Sequence, residues 1–184
     1  MGEGRAGDRA AGQLRRADED ALNRKFGFSP VVDAGTRLLI LGSLPGDASL
    51  GAGQYYGHPR NAFWRLIGGV IGRDLAALPY DQRLAALRAA GIGLWDVVAS
   101  AERPGSLDAA IRRPEAADLR GLVASLPALR AVAFNGGTAA RLGRAVLAGA
   151  TGVQLIDLPS SSPAHARPFE EKAAAWRVLA GPLS

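Results

Sequence analysis

The chain has 184 residues, 48% of them hydrophobic and none of them cysteine, which is enough for one domain with a buried core and excludes disulfides, a thiolate nucleophile and iron–sulfur clusters. Its 22 basic and 17 acidic residues leave a net charge of +5, which suits a polyanionic partner but does not by itself select nucleic acid. No stretch approaches a membrane span, Met1 to Lys25 lacks the apolar segment of a signal peptide, and His58 and His165 are too far apart to suggest zinc, so a soluble cytoplasmic protein without metal or cofactor is expected.

Residues 1–25 balance six basic against five acidic side chains, and Gly2 to Gly12 is rich in Gly, Ala and Arg; a flexible tail is expected, with a single domain over residues 26–184. Leu38 to Leu41 has the length and composition of a buried parallel strand. In the loop that follows it, Gly42 and Gly46 flank Ser43, Leu44 and Pro45, allowing close backbone approach to a ligand. Tyr55, Tyr56, His58 and Asn61 come next, before a helix over residues 61–71 whose Phe63, Leu66, Ile67 and Val70 repeat at helical spacing. A helix over 81–90 after Pro79, a strand over 92–99 and a basic loop over 100–114 with Arg103, Arg112 and Arg113 are predicted. Then come a helix near 115–125, a strand over 131–134 closed by Asn135, Gly136 and Gly137, a helix over 138–147, a strand over 153–157, a Pro/Ser loop over 158–168 and a closing helix over 169–179. Strands alternating with helices predict an α/β fold, a three-layer αβα sandwich with a short, mainly parallel four-stranded sheet. Parallel strands would deliver their polar loops to one edge, the usual place for a ligand in an open sheet.

Four segments in this order, GSLPG with QYYGHPRNAFW, GIGLWDVVASAERPGSLDAAI, AVAFNGGTAARL and LPSSSPAHA, resemble the uracil-DNA glycosylase superfamily, in particular its mismatch-specific branch and hypoxanthine-DNA glycosylases. The resemblance implies a monofunctional DNA glycosylase of base excision repair, acting on hypoxanthine first and on uracil or other mismatched bases second. The implied partner is DNA containing deaminated bases, met by a monomer. Such an enzyme extrudes a nucleotide, reads its base, places a water near C1′ and supports the departing base.

At Leu44 this sequence departs from the family, whose relatives carry a water-holding amide or carboxylate there. Asn61 is the candidate substitute, since an amide oxygen holds water without ionising; the alternative is that Asn61 caps the helix it begins. Ser43 and His58 complete the candidate catalytic set, His58 by donating to the sugar–phosphate or to the leaving base, or else serving only as loop architecture. Uracil and hypoxanthine share a carbonyl beside a ring N–H, an edge that one donor and one acceptor can read. Asp96 falls where the superfamily places its base-reading Asn, with a backbone N–H of the Ser43–Leu44 turn supplying the donor that an ionised Asp96 lacks; Asn135 is the other candidate, or a turn residue. Tyr56, and after it Tyr55, is expected to stack on the base, while Phe63 and Trp64 are expected in the core. Ser160, Ser161, Ser162, Pro163, His165 and Arg167 resemble the superfamily's second motif, a loop contacting phosphates and entering the duplex, and Arg103 and Arg112 are further phosphate candidates. Two other classes stay open: a lesion-binding module without chemistry, and a serine hydrolase built on residues 160–162 with His165, although the chain has no G-x-S-x-G elbow.

Overall fold

The computed structural model describes residues 24–150 and 152–184. Its centre is strand β2 (Leu38–Gly42), in which every residue is buried. An apolar run without polar alternation cannot face water on either side, so it sits where helices cover both faces of a sheet. β2 pairs in parallel with β3 (Ile92–Asp96) on one side and β6 (Ala131–Asn135) on the other, and β6 pairs in parallel with β7 (Gln154–Leu158), giving the order β3-β2-β6-β7.

The period of two along β2 divides the core. Leu38 and Ile40 pack with residues of helices α2 (Phe63–Ile71), α3 (Tyr80–Ala89) and α6 (Phe169–Trp176), among them Phe63, Ile67, Leu87 and Trp176. Leu39 and Leu41 pack on the opposite side with residues of α4 (Leu119–Ser125) and α5 (Gly137–Val146), among them Leu119 and Ala139. Full burial of each of these aliphatic side chains contributes about 1.5–3 kcal/mol, and the result is the predicted three-layer αβα sandwich. Local signals set the helix ends. The Asn61 side-chain oxygen accepts from Phe63 N–H at 3.0 Å before α2, Gly72 closes that helix at φ 67°, and Asp118 accepts from Gly121 N–H at 2.9 Å at the start of α4.

Several expectations need correction. The single strand expected over 92–99 is two: the chain turns at Val97, whose N–H donates to Gly42 O, and continues as β4 (Val98–Glu102) in a second sheet. That sheet is antiparallel, in the order β1-β4-β5, with β1 (Arg24–Phe26) and β5 (Arg112–Ala116) flanking β4. The region 100–114 is therefore not one loop, and Glu115 lies in a strand rather than at a helix start. A short helix, α1 (Asp47–Ala52), interrupts the first loop and stops at Gly53, which has φ 62°. The closing helix continues as a 3₁₀ turn (Arg177–Leu179) and α7 (Ala180–Leu183). The tail expected over residues 1–25 lies outside the described residues except for Arg24 and Lys25, which already belong to β1. Among the described residues no helix is long and apolar enough to cross a membrane.

Candidate active site

The carboxyl ends of β2, β3, β6 and β7 open at the same edge, where they enclose a cavity of about 390 Å³. Of the sixteen candidate residues, thirteen border it and Arg103, Arg112 and Arg167 do not, so segments distant in sequence converge as parallel strands require.

β2 delivers the first of these segments. A Cβ on Gly42 would meet Asp96 Oδ1 at 2.6 Å and Tyr56 Oη at 3.4 Å, so only glycine lets both side chains close over the strand end. Beyond it, the carbonyls of Leu44 and Pro45 both accept from the Arg103 guanidinium, from Nη1 at 3.0 Å in the case of Leu44. This overturns Arg103 as a phosphate contact, because its side chain is fully buried and shapes the loop from inside. Ser43 Oγ donates to Asp108 Oδ1 at 2.6 Å, and the Leu44 side chain is buried with Leu41 and Val97 while still edging the cavity.

The two tyrosines separate cleanly. Tyr55 is 4% exposed, lies edge-on to Phe28 and donates from its hydroxyl to Ser29 O at 3.1 Å; it belongs to the core and is not available to stack on a base, contrary to expectation. Tyr56 has φ 54°, a left-handed conformation uncommon for a bulky residue. Its ring lies flat on Phe63, at 3.7 Å between centroids and 10° between planes, and the residue borders the cavity. The buried Tyr56 hydroxyl makes no hydrogen bond of ordinary geometry, and burial together with neighbouring Asp96 pushes its pKa upward, opposed by the nearby Asn135 amide. Asn61 Oδ1 accepts from Phe63 N–H in a turn just before the helix, whose N-cap is Ala62, while the residue borders the cavity, so this bond takes only part of the amide. His58 Nδ1 accepts from Arg60 N–H at 3.1 Å, which assigns the ring proton of the neutral imidazole to Nε2.

Asp96 ends β3 with 4% exposure. Its Oδ2 is buried and unpartnered, and Arg103, the cation that acts on it, is already committed to two carbonyls. Burial raises the carboxyl's pKa to about 7, against attraction from Arg103 and with repulsion from Asp108. Asp96 therefore carries its proton below about pH 7, and a neutral carboxyl offers both an O–H donor and a carbonyl acceptor.

The sequence profile of the Uracil DNA glycosylase superfamily matches residues 29–180. The chain belongs to this superfamily. Hypoxanthine DNA glycosylase from Methanosarcina barkeri is 42% identical over 153 residues, 83% of this chain and 96% of that protein. The enzyme of the same description from Methanosarcina acetivorans is 42% identical over 155 residues, 84% of this chain and 97% of that one. A solution NMR structure of a protein from M. acetivorans superimposes with a TM-score of 0.78 at 41% identity and covers 87% of this chain and 98% of its own. The protein is a DNA glycosylase, an enzyme that releases bases from DNA.

In this glycosylase the loop after β7 is braced from beneath. Asn135 Nδ2 donates to Ser161 Oγ and Asn135 Oδ1 accepts from Ser161 N–H, both at 2.8 Å. The Asn135 amide spends one N–H and one lone pair on this loop and keeps a second of each where the residue borders the cavity beside Tyr56; Ser161, 1% exposed, is a brace and not a phosphate contact. Gly136, at φ 104°, lies so close to the loop that a Cβ would meet Ser160 Cβ at 3.0 Å. Ser160 Oγ accepts from Ser162 N–H at 3.1 Å and Ser162 Oγ from Ala164 N–H at 3.2 Å, leaving both hydroxyl hydrogens to donate outward. Pro163, His165 and Arg167 are exposed. Among the described residues no imidazole bonds to Ser160, Ser161 or Ser162, so the serine hydrolase arrangement is missing. Sequence reasoning missed two supports. Lys172 is 4% exposed and donates to Ser162 O at 3.2 Å, and Trp176 Nε1 donates to Pro159 O at 3.0 Å. Both lie on a helix that reads as generic amphipathic sequence, without a motif to mark them.

Proposed function

We propose that this glycosylase is monofunctional and hydrolyses the N-glycosidic bond of deaminated nucleotides in DNA, deoxyinosine first and deoxyuridine or other mismatched bases second. One observation carries the reading: the Asp96 carboxyl, through Oδ1, and the Tyr56 hydroxyl converge over Gly42 among the residues bordering the cavity, and the carboxyl's other oxygen and the hydroxyl are buried without partners. Buried polar groups without partners are rare, and in an open cavity they await a ligand's polar edge. Protonated Asp96 donates to the base carbonyl and accepts from the adjacent ring N–H, doing as an acid what an amide would do. The cavity-side face of Tyr56, backed by Phe63, supports the ring of the extruded base.

Asn61 holds the attacking water through the lone pair that Phe63 N–H leaves free. The water oxygen bonds to C1′ as the C1′–N bond breaks, the base departs as an anion with the bonding pair, and the proton shed by the water passes to solvent, from which the released base takes one up. Asp96 supports the charge developing on its carbonyl oxygen, and His58 Nε2–H faces the sugar–phosphate. Lys172, the buried lysine nearest this edge, is bound to the back of the Ser162 loop, so no Schiff base forms and the product is an intact abasic strand. The names of the two curated relatives support hypoxanthine as the preferred base.

Matched duplexes carrying deoxyinosine, deoxyuridine or deoxyxanthosine, incubated with the protein and then treated with alkali, test the proposal. Strand breaks strongest at deoxyinosine and appearing only after alkali support it, as does an Asn61→Ala loss of about 10²–10⁴-fold in rate. Tight binding of the lesion without base release would favour a lesion-binding module, and full activity in Asn61→Ala would remove the water assignment.

A further inference from the structure

Among the described residues, six serines border the cavity, and five of their hydroxyls are engaged in the same sense. Ser49 Oγ accepts from Gly57 N–H, Ser106 Oγ from Asp47 N–H, Ser160 Oγ from Ser162 N–H, Ser161 Oγ from Asn135 Nδ2 and Ser162 Oγ from Ala164 N–H. Each of these keeps its own hydroxyl hydrogen. Ser43 is the exception. Its Oγ donates to Asp108 Oδ1 at 2.6 Å, so its hydrogen is spent and only lone pairs are left for the cavity.

That bond is not needed to hold the segment that carries Asp108. The segment is already tied to the first loop by Ser106 Oγ, 2.9 Å from the Asp47 nitrogen, and by Arg103, whose guanidinium serves the Leu44 and Pro45 carbonyls. Arg103 Nη1 lies 3.9 Å from the same Asp108 oxygen that Ser43 reaches, so a hydroxyl and a cation face one carboxylate oxygen. The Asp108 side chain is 40% exposed and borders the cavity, and it therefore joins the cavity to solvent. An acceptor-only hydroxyl at this wall needs a donor. An internal deoxynucleotide has no 2′-OH and both of its other sugar oxygens are esterified, so its sugar–phosphate offers none. The ring N–H of the base is met by Asp96. Water is the donor that remains.

We propose that Ser43 accepts the second hydrogen of the attacking water and that Asp108 draws the proton away through it. The proposal rests on the glycosylase reading and deepens it, by giving the shed proton a path to solvent. One water hydrogen bonds to Asn61 Oδ1 and the other to Ser43 Oγ, which turns a water lone pair toward C1′. As the water oxygen bonds to C1′, its O–H bond on the Ser43 side breaks. That proton passes to Ser43 Oγ while the Ser43 hydroxyl proton passes to Asp108 Oδ1. The C1′–N pair leaves with the base, Ser43 ends as it began, and the Asp108 carboxyl gives its proton to solvent. Ser43 touches the water; Asp108 acts through Ser43, as a positioning residue and proton acceptor.

The test is single-turnover release of hypoxanthine from a deoxyinosine duplex at about pH 6, below the value at which Asp96 loses its proton, so that a charge change at position 108 is not read through Asp96. Asp108→Asn still accepts from the Ser43 hydroxyl but takes up no proton, and it slows release by about 10²-fold, the low end of a general base's contribution. Ser43→Ala slows release as much, and combining the two costs nothing further, because both break one path. Asp108→Ala is equally slow, and added formate, a small carboxylate that enters the space left, restores at least about tenfold of its rate. Formate leaves Ser43→Ala unchanged. Binding of all variants to a duplex with the cleavage-resistant 2′-fluoro analogue of deoxyinosine stays within about twofold of wild type, as for a contact made only in the transition state. Asp108→Asn as fast as wild type beside a slow Asp108→Ala would mean a merely structural bond and overturns the proposal. So does an Asp108→Ala protein that formate does not rescue, a readout that holds even where a variant melts early. A wild-type protein that releases no base refutes the glycosylase reading and the relay with it, whereas release untouched by Asp108→Asn refutes the relay alone.

Discussion

Asn135 and Ser161 are joined by two hydrogen bonds of 2.8 Å, one to the serine hydroxyl and one from its backbone N–H, both buried. They lock the end of β6 to the loop after β7. Asn135→Ala leaves the Ser161 N–H without an acceptor in a site too closed for bulk water, at about 1–3 kcal/mol. A lowered denaturation midpoint is expected, together with weaker DNA binding, because Ser160 and Ser162 lose their platform. A variant with unchanged stability would show that the two bonds are not what holds the loop.

The protonation of Asp96 predicts a pH dependence. An unfolded aspartate releases its proton near pH 3.8, whereas folded Asp96 keeps it up to about 7, so between those values the native state binds the extra proton. Stability from this group is therefore greatest at low pH, falls as pH rises from about 4 to 7, and is level above that. Base reading follows the same proton. Single-turnover release of hypoxanthine should decline as pH passes through about 7, where the carboxyl stops donating. Asp96→Asn supplies the donor permanently, and its rate should be flat across this range. A wild-type profile without the decline, or an inactive Asp96→Asn protein, would falsify the neutral-acid role.

The parallel sheet could be read from the sequence because Leu38–Leu41 and Ala131–Phe134 are apolar runs closed by Gly or Asn, and such runs have few other uses. The gathering of Ser43, Asn61, Asp96 and the serine loop followed from parallel strand direction alone. The second sheet could not be read. β5 is Arg-Arg-Pro-Glu-Ala, exposed throughout, and pairs through its backbone, so nothing in its side chains marks a strand. Arg103 could not be read either. An arginine in a basic loop suggests phosphate but folds inward onto two carbonyls of the first loop, at a sequence distance that no local pattern reports.

The inward fold of Arg103 separates structural from phosphate roles by experiment. Arg103→Met deprives the Leu44 and Pro45 carbonyls of their donor and should destabilise the protein by about 2 kcal/mol or more, each carbonyl accounting for about 1–3. A phosphate contact behaves differently, as its loss lowers the salt slope of DNA binding by about 1 with little effect on folding. Denaturant melts and salt titrations of the variant should therefore show a large shift in the first and none in the second.

Tyr56 sets stability against function at a single oxygen. Its hydroxyl is buried without a partner, so Tyr56→Phe removes a desolvated polar atom and keeps the stack on Phe63. The free protein should gain up to about 1 kcal/mol, within the range that removing an unsatisfied polar group allows. If the hydroxyl is kept for the polar edge of the base, that gain comes with slower release of hypoxanthine, by roughly tenfold for one neutral hydrogen bond of about 1 kcal/mol or slightly more. Tyr56→Ala differs, since it also removes the ring that Phe63 supports, and should both destabilise the protein and reduce base binding. Thermal melts and single-turnover rates on the same preparations decide the matter. A Tyr56→Phe protein that is more stable and equally fast would mean that the hydroxyl takes no part in reading the base, and Asp96 alone would meet its polar edge.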